Sequence, residues 1–483
     1  MGRAAAHRSR DRRARAGVLG ALHHVPALPH HHRAAVLTGT KGSVEAMAGT
    51  TEHDVIVIGA GIAGLAAAIT LAAKGLQVRV FESRDKAGGL CGTRHIDGYE
   101  FTVACNDFGS ALATTMAELG VEIEFHRPRS RICTERATYT LPIGLATAGP
   151  FLRMVPDLVR FSRAVRATHG SGRTVFVSEI LTDAVKGREF ADFIGVLCLA
   201  FGTPPGRFRT DMFTALFSKE LGYGYGHPVT PVGGPQSLSD KMADRLRDLG
   251  GRLDLNTAVQ HVTYGPGTKT VTTDKSPHQA RYVISSQQRL DLYPEDTEPG
   301  LAVGTLHIAT TPDAPFPAGV HTLLHAPAGL PGLLEGLDAG RSPAAPAFNL
   351  FPCELPEQRA YRSFNAYVPL PRGVDELDPT ERTRLELYLL EHIEAMLPGF
   401  TSKIRYQRFV SPGEFQEIHQ LSSNVTPVVI PPGFHKPDGY DPDRDIHYVG
   451  NTVQPTCEHA SSALASGLRA AHLISKAMPN GAG

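Results

Sequence analysis

Three glycines define the first chemistry open to this chain. Gly59-Ala-Gly61-Ile-Ala-Gly64 follows the β-branched run Asp54-Val-Ile-Val-Ile58 and opens the alanine-rich stretch Leu65 to Ala73. Between a strand and a helix, Gly59 permits the tight turn and Gly61 lets the backbone approach a pyrophosphate. Gly64 lets the helix lie close on the sheet. Unpaired N–H groups at the helix start then face the phosphates. Glu82 lies eighteen residues past Gly64 and closes a second apolar run, Gln77 to Phe81. A carboxylate there can accept both hydroxyls of an adenosine ribose. Proton chemistry has fewer candidates: Asp107 in Cys105-Asn106-Asp107, and Glu458 and His459 after Cys457. The same residues also suit helix starts, Asp107 ahead of a helix near Ser110 and Glu458-His459 at the head of the last one.

These residues need a scaffold. The run 54–58 has the character of a strand buried on both faces of a parallel sheet, and Gly75 ends the helix after it. Pro231-Val-Gly233-Gly234-Pro235 leads into Leu238, Met242, Leu246 and Leu249 at helical spacing, then Gly250-Gly251, the strand-like Arg252 to Leu255, and Asn256-Thr-Ala-Val259. Near the end, His447-Tyr-Val-Gly450-Asn451-Thr452 reads as a strand meeting a glycine. A small-residue helix from Ala460 to Ala471, with Ser466-Gly467, follows. Phe190 to Phe201 is apolar all round and reads as core. Pro156 to Ala167 reads as a basic amphipathic helix, with Leu158, Phe161 and Val165 opposite Arg160, Arg163 and Arg166. Such a helix either caps a domain with a solvated basic face or rests on a membrane surface.

The continuation Ser83-Arg84 and Gly88-Gly89-Leu90-Cys91-Gly92-Thr93 resembles the second FAD motif of flavin amine oxidases and phytoene desaturases. The 231–259 and 447–471 segments are similar to that group's P-x-G-G unit and C-terminal motif, as are, more weakly, Leu397-Pro-Gly-Phe400 and Ser411-Pro-Gly-Glu-Phe415. From Asp54 to Lys476 the chain resembles the phytoene desaturase-like flavoproteins. The resemblance implies an α/β fold: a Rossmann-like FAD-binding domain of the two-dinucleotide-fold type with a discontinuous α+β substrate domain. The FAD-binding parts are expected at 53–109, 226–299 and 406–478, and the substrate parts at 110–225 and 300–405. The cofactor implied is FAD, held by Gly59, Gly61, Ile62, Ala63, Gly64, Glu82, Ser83, Arg84, Gly88, Gly89, Leu90, Gly92, Thr93, Val259, Gly450, Asn451 and Ser461. No second G-x-G-x-x-G marks an NAD(P)H site.

The activity implied is oxidative: a desaturase or dehydrogenase passing a hydride from a C–C bond of a hydrophobic small molecule to flavin N5. Asp107, His459 or Glu458 would handle the proton, with oxygen or a quinone as electron acceptor. Two alternatives share the fold: an amine or amino-acid oxidase, with Tyr223 and Tyr225 as aromatic surroundings, and a redox-neutral isomerase or cyclase of a polyene. Rab GDP-dissociation inhibitors use the fold as a scaffold, but their nucleotide glycines and ribose acid are degraded, whereas Gly59, Gly61, Gly64 and Glu82 stand here. The chain departs from the desaturase pattern at Thr102 to Asp107 and at Pro455 to His459, both where a substrate meets the ring.

Other classes find no support. Forty-eight basic and forty-eight acidic residues cancel, which argues against a nucleic-acid partner. H-E-x-x-H, G-x-S-x-G and G-x-x-x-x-G-K-[ST] are missing, and the six scattered cysteines form no metal-binding spacing, so no metal is expected. Scattered cysteines in a chain of 483 residues read as free thiols of a cytoplasmic protein. No apolar run reaches the roughly 20 residues of a membrane span, so membrane contact, if any, is peripheral. Residues 1–46, arginine-rich and then histidine-rich, read as a disordered tail or an over-extended reading frame before Met47. The other reading, a transit or export peptide, has its apolar segment interrupted early by histidines.

Overall fold

The computed structural model describes residues 52–144, 148–168, 172–219, 223–264, 267–295, 297–298, 300–357, 359–419, 435–455 and 459–478. The expectations for residues 1–46 and for Glu458 lie outside them.

The β-branched run after Glu52 forms the strand His53–Ile58, central in a mixed sheet. It pairs in parallel with Pro277–Ser285 on one side and Val78–Phe81 on the other, and Arg252–Asp254 extends the parallel set past Val78–Phe81. Beyond Pro277–Ser285 the sheet turns antiparallel through Lys269–Thr273 and Val259–Val262. Ile446–Tyr448 joins in parallel at the end of Pro277–Ser285, with Ile284 opposite His447. Three distant segments of the chain therefore build this sheet.

Helix Ile62–Ala72 lies on the sheet with nearly every residue buried. Two further helices, Gly234–Asp248 and Ala460–Ala477, pack against it. The last one comes very close, because a Cβ at Gly467 would stand 2.1 Å from the Ala63 carbonyl oxygen. Leu238, Met242 and Leu246 turn into this core, as their spacing predicts.

A second sheet runs Ile404–Val410, Ala302–Thr310, Arg362–Leu370, Phe348–Pro352, Val320–Ala326, Arg129–Thr134, Thr138–Leu141. Its one parallel pair, Val320–Ala326 with Arg129–Thr134, joins the chain's two excursions. Helix Arg188–Ala200 and its neighbours cover part of it in an aromatic-rich core, as the apolar run 190–201 predicts. Helix Pro379–Met396 covers another part through Leu385, Leu389 and Ile393.

Two elements cross the expected boundaries. Ile404–Val410 straddles 405/406 and is held in the second sheet by its ladder to Ala302–Thr310. Helix Ala111–Glu118 follows 110, yet its Leu112 and Met116 join the first core. The amphipathic helix also differs from its expected form. It spans Ala148–Thr168 with Pro156 inside, and its inner face is Met154, Asp157, Phe161 and Val165. Leu158 points outward instead. Asp157 takes an inward place, where Lys186 and Gly187 N–H groups donate to its carboxylate at 3.0 Å.

Candidate active site

The glycine turn leaves little freedom. Gly59 has φ +95°, and a Cβ there would fall 2.0 Å from Ser286 Oγ. A Cβ at Gly64 would fall 2.2 Å from the Gly59 carbonyl oxygen, so the helix could not sit this close with any other residue. Gly61, by contrast, faces open space just before the helix start that Ile62 and Ala63 form. Room beside free N–H groups is what a phosphate needs.

The second motif folds back on the first. Gly88, φ +122°, donates its N–H to the Ala60 carbonyl at 2.8 Å, and Gly61 bridges to Gly88. Glu82 is buried between the two: Ala60 N–H donates to Oε2 at 2.8 Å and Arg84 N–H to Oε1 at 3.0 Å. Exposed Ser83 donates its hydroxyl to the same carboxylate at 3.3 Å. Thr257 N–H donates to the Glu82 carbonyl at 2.8 Å and Asn256 N–H to that of Arg84 at 2.9 Å, which brings the segment ahead of Val259 beside the acid.

Arg84 fits an anionic group. It is 2% exposed, and its guanidinium donates to the Gly89 and Thr93 carbonyls at 3.0 and 2.9 Å. Its Nε has no partner, and among the described residues no carboxylate ion-pairs with it. Burial lowers its pKa, with Glu82 opposing. A buried cation short of a partner is costly, and a diphosphate would complete it.

At the other end, Gly450 has φ +126° with open space beside it, and its N–H donates to Ser466 Oγ at 2.8 Å. The neighbouring Asn451 accepts a hydrogen bond from Lys436 through its carbonyl. Ser461, in the first turn of Ala460–Ala477, is buried with an unpartnered hydroxyl. Residues at both ends thus fit a long dinucleotide. Leu90 is half-buried and Gly92 buried in the turn between. Thr93 is engaged inside the protein: its N–H donates to Gln236 Oε1 at 2.9 Å and its hydroxyl to Glu100 Oε1 at 2.5 Å.

The sequence reading missed several of these supports. Gln236 also donates to the Ala87 carbonyl at 3.1 Å, and Ser239 Oγ to that of Cys91 at 2.7 Å, so one helix staples the whole 87–93 turn. Two polar side chains on the buried face of an otherwise apolar helix were the available signal. Glu100, buried, meets Lys86 at 2.6 Å and Arg359 at 2.8 Å and is held down to about 2; burial opposes, and the Lys86, Thr93 and Arg359 bonds prevail.

Of the proton-handling candidates, Asp107 and His459 lie among the described residues. Asp107 caps no helix: Ala111–Glu118 begins after Ser110, and no side chain caps it. Its carboxylate accepts from Thr322 Oγ1 at 3.3 Å and lies 3.3 Å from His321 Nε2. Its side chain keeps 29% of its surface accessible. Burial raises its pKa, with His321 opposing. His459 stands at the head of the last helix, its ring 5.1 Å from Phe201 and 5.6 Å from Tyr225. Burial, then Lys436, pushes it down to about 4. The stretch 223–225 lies between them, since Ala111 N–H donates to the Tyr223 carbonyl.

One group, Glu52, His53 and His278, has the residue types of a metal site. Arg79 Nη1 stands 3.4 Å from His53 Nε2, 3.3 Å from His278 Nδ1 and 3.5 Å from Glu52 Oε1, and that fixed positive charge opposes a cation.

A mixed sheet with a parallel centre, this turn, this acid and a returning C-terminal helix defines a dinucleotide-binding fold, and its cofactor is FAD. Residues 62–288 match the family described as flavin containing amine oxidoreductase. A 1-hydroxycarotenoid 3,4-desaturase of Flavobacterium sp. (strain P99-3) is 51% identical over 285 residues, covering 50% of this chain and 57% of that one. A putrescine oxidase of Kocuria rosea is 53% identical over 47 residues, 10% of each chain. The solved structure of an oxidoreductase from Methanosarcina mazei superimposes with TM-score 0.61 at 14% identity, over 87% of this chain and all of that one, a likeness of fold. The chain is similar to the phytoene desaturase-like, FAD-dependent oxidoreductases. It spans about half the length of the desaturase it matches.

Proposed function

We propose that this protein desaturates a C–C bond in a hydrophobic polyene, with oxygen or a quinone as final electron acceptor. One observation carries the reading: an uncharged aromatic wall at the head of the last helix. Half-buried Phe201 meets half-buried Phe217, Tyr225 and His459 in edge-to-face pairs, and the core rings of Phe208 and Phe213 back them. His459 is neutral there, so the wall suits an apolar chain. The 1-hydroxycarotenoid 3,4-desaturase among the relatives supports the same class.

Bound FAD supplies a two-electron acceptor. The protein's part is to hold the reacting bond and to take the proton. Glu82, Arg84, Gly61, Gly88 and Gly89 would hold the dinucleotide, with Val259 at its adenine end and Gly450, Asn451 and Ser461 at the other. Asp107 would accept the proton; its raised pKa moves it toward the range useful to a base near neutral pH. We assign the substrate domain to the second sheet and its helices.

Delivery of such a substrate suits a membrane surface. On helix Ala148–Thr168, Leu152 is 68% exposed, and Val155, Leu158 and Val159 are exposed beside Arg153, Arg160, Arg163 and Arg166. We propose that this face rests on anionic lipid, giving a cytoplasmic protein peripheral contact with the membrane. No helix among the described residues is long and apolar enough to cross one.

The test is anaerobic bleaching of the flavin band in full-length, FAD-loaded protein. Polyenes in phosphatidylcholine vesicles are titrated beside an amine and amino-acid panel. Bleaching by polyenes is expected. Bleaching by amines alone would replace the reading with an oxidase, and polyene isomers formed without bleaching would replace it with a redox-neutral activity.

A further inference from the structure

We infer that Cys91 and Cys105 form a redox-active dithiol, which hydrogen peroxide closes to a disulfide that bolts the 88–93 turn to the segment carrying Asp107. The backbone brings the two cysteines together. Val103 N–H donates to the Gly92 carbonyl at 2.9 Å and Ala104 N–H to the Leu90 carbonyl at 3.2 Å, so the residues on either side of Cys91 are tied to those just before Cys105. Backbones paired in this way run about 4.8 Å apart, and a disulfide spans Cα atoms about 4.4–6.8 Å apart. Cys91 lies within the first core at 2% exposed, and half-buried Cys105 packs against that same core.

The backbone of Cys105 also sets it apart. Its φ is +54°, and among the described residues the other non-glycine positions with positive φ are Asp97, Asn256 and Asp445. Those three are the residue types that tolerate the left-handed region. A cysteine there has no such side-chain compensation, so the surrounding fold imposes the conformation. The two thiols also differ in environment. The neighbouring Cys105 thiol, and then burial, hold Cys91 protonated well above the usual thiol range. Cys105, the more accessible of the two, is therefore the thiol that meets an oxidant first.

The chemistry balances with peroxide as the only oxidant. The Cys105 thiolate attacks one peroxide oxygen, the O–O bond breaks, and a sulfenic acid and hydroxide result. That hydroxide takes up the proton Cys105 released and leaves as water. The Cys91 sulfur then attacks the Cys105 sulfur, the S–O bond breaks, and the departing hydroxide leaves as water with the proton of Cys91. Two thiols and one hydrogen peroxide thus become one disulfide and two waters. A thiol donor reverses the step by exchange. Disulfides that form and reopen in this way are the kind found in a reducing compartment.

The test uses full-length, FAD-loaded protein treated with a small excess of hydrogen peroxide, blocked with iodoacetamide and digested with trypsin. Cleavage at Lys86 and Arg94 puts Cys91 in peptide 87–94 and Cys105 in a peptide that starts at residue 95, so only a disulfide joins them. The joined pair, two hydrogens lighter than the sum of its parts and lost on adding dithiothreitol, is expected. Both cysteines still reduced, oxygen added to either without joining, or either joined to another cysteine would overturn the dithiol. In Cys91→Ser the sulfenic acid on Cys105 should be trapped by dimedone, whereas Cys91 in Cys105→Ser should stay unlabelled; the opposite pattern overturns the assigned order. Release of FAD, followed by the rise in free-flavin fluorescence, should be severalfold slower from the peroxide-treated protein than after dithiothreitol. Equal release from the two states would overturn the bolt.

Discussion

Glu82 and Arg84 show how little side-chain chemistry the cofactor end requires. Glu82 is already satisfied by two backbone N–H groups, which fix its carboxylate against the glycine turn. That preorganisation leaves its remaining lone pairs for two ribose hydroxyls. A hydrogen bond to a charged group contributes about 1.5–3 kcal/mol, so Glu82→Ala should weaken FAD binding roughly ten- to a hundredfold in equilibrium dialysis of the apoprotein. Unchanged retention would remove the ribose assignment. Arg84 holds the 89–93 turn with two of its nitrogens while Nε waits for an anion. Lysine cannot span that fork, so Arg84→Lys should lose FAD affinity about as severely; an affinity within twofold of wild type would mean that the guanidinium serves the turn alone.

Among elements, the contact between the first and last helices closes the cofactor fold. Gly467 meets the Ala63 carbonyl where no side chain fits. Gly467→Val should therefore destabilise the protein by about 1–3 kcal/mol through overpacking and lower the melting temperature, while an unchanged melting temperature would show that the helix can shift. The outward face of Ala148–Thr168 gives a second test. Arg163→Glu with Arg166→Glu should abolish co-sedimentation with phosphatidylglycerol vesicles at low salt, each charge near an anionic surface contributing about 1 kcal/mol. Equal sedimentation of wild type and variant would reject the docking. This helix also marks where sequence legibility stops. Its amphipathic pattern was readable, and Phe161 and Val165 turn inward as expected; Leu158 does not, and Asp157 turns inward to meet N–H groups of the 186–187 turn. The glycine turn and the strand after Glu52 were legible because their geometry is local. The partners of Asp107 were not: Thr322 lies 215 residues away, and the pairing exists only once a parallel strand pair joins the two excursions.

Across the whole molecule, buried histidines govern the response to acid. His307 and His419 are fully buried and pushed down, mainly by burial, to about 4 and about 2. His325, His447 and His459 are each held near 4, again chiefly by burial. In the unfolded chain each would take up its proton near pH 6.5. Between about pH 6.5 and 4 the unfolded state therefore binds more protons than the native one, and stability falls as pH falls. His307 and His419 alone account for roughly 2–3 kcal/mol per pH unit in that window. His321, raised, acts the other way: its contribution is full below pH 6.5 and fades as pH rises through its native pKa. Glu100, held at about 2, contributes above its unfolded value near 4.3 and loses that contribution only in stronger acid. The histidines thus dominate between pH 6.5 and 5, and the melting temperature should drop steeply there. His419→Phe removes a ring whose two nitrogens are both unpartnered, so it should flatten that slope by about one proton. An unchanged slope in a folded His419→Phe variant would show that His419 is protonated in the native protein, and that its surroundings are less dry than its burial implies.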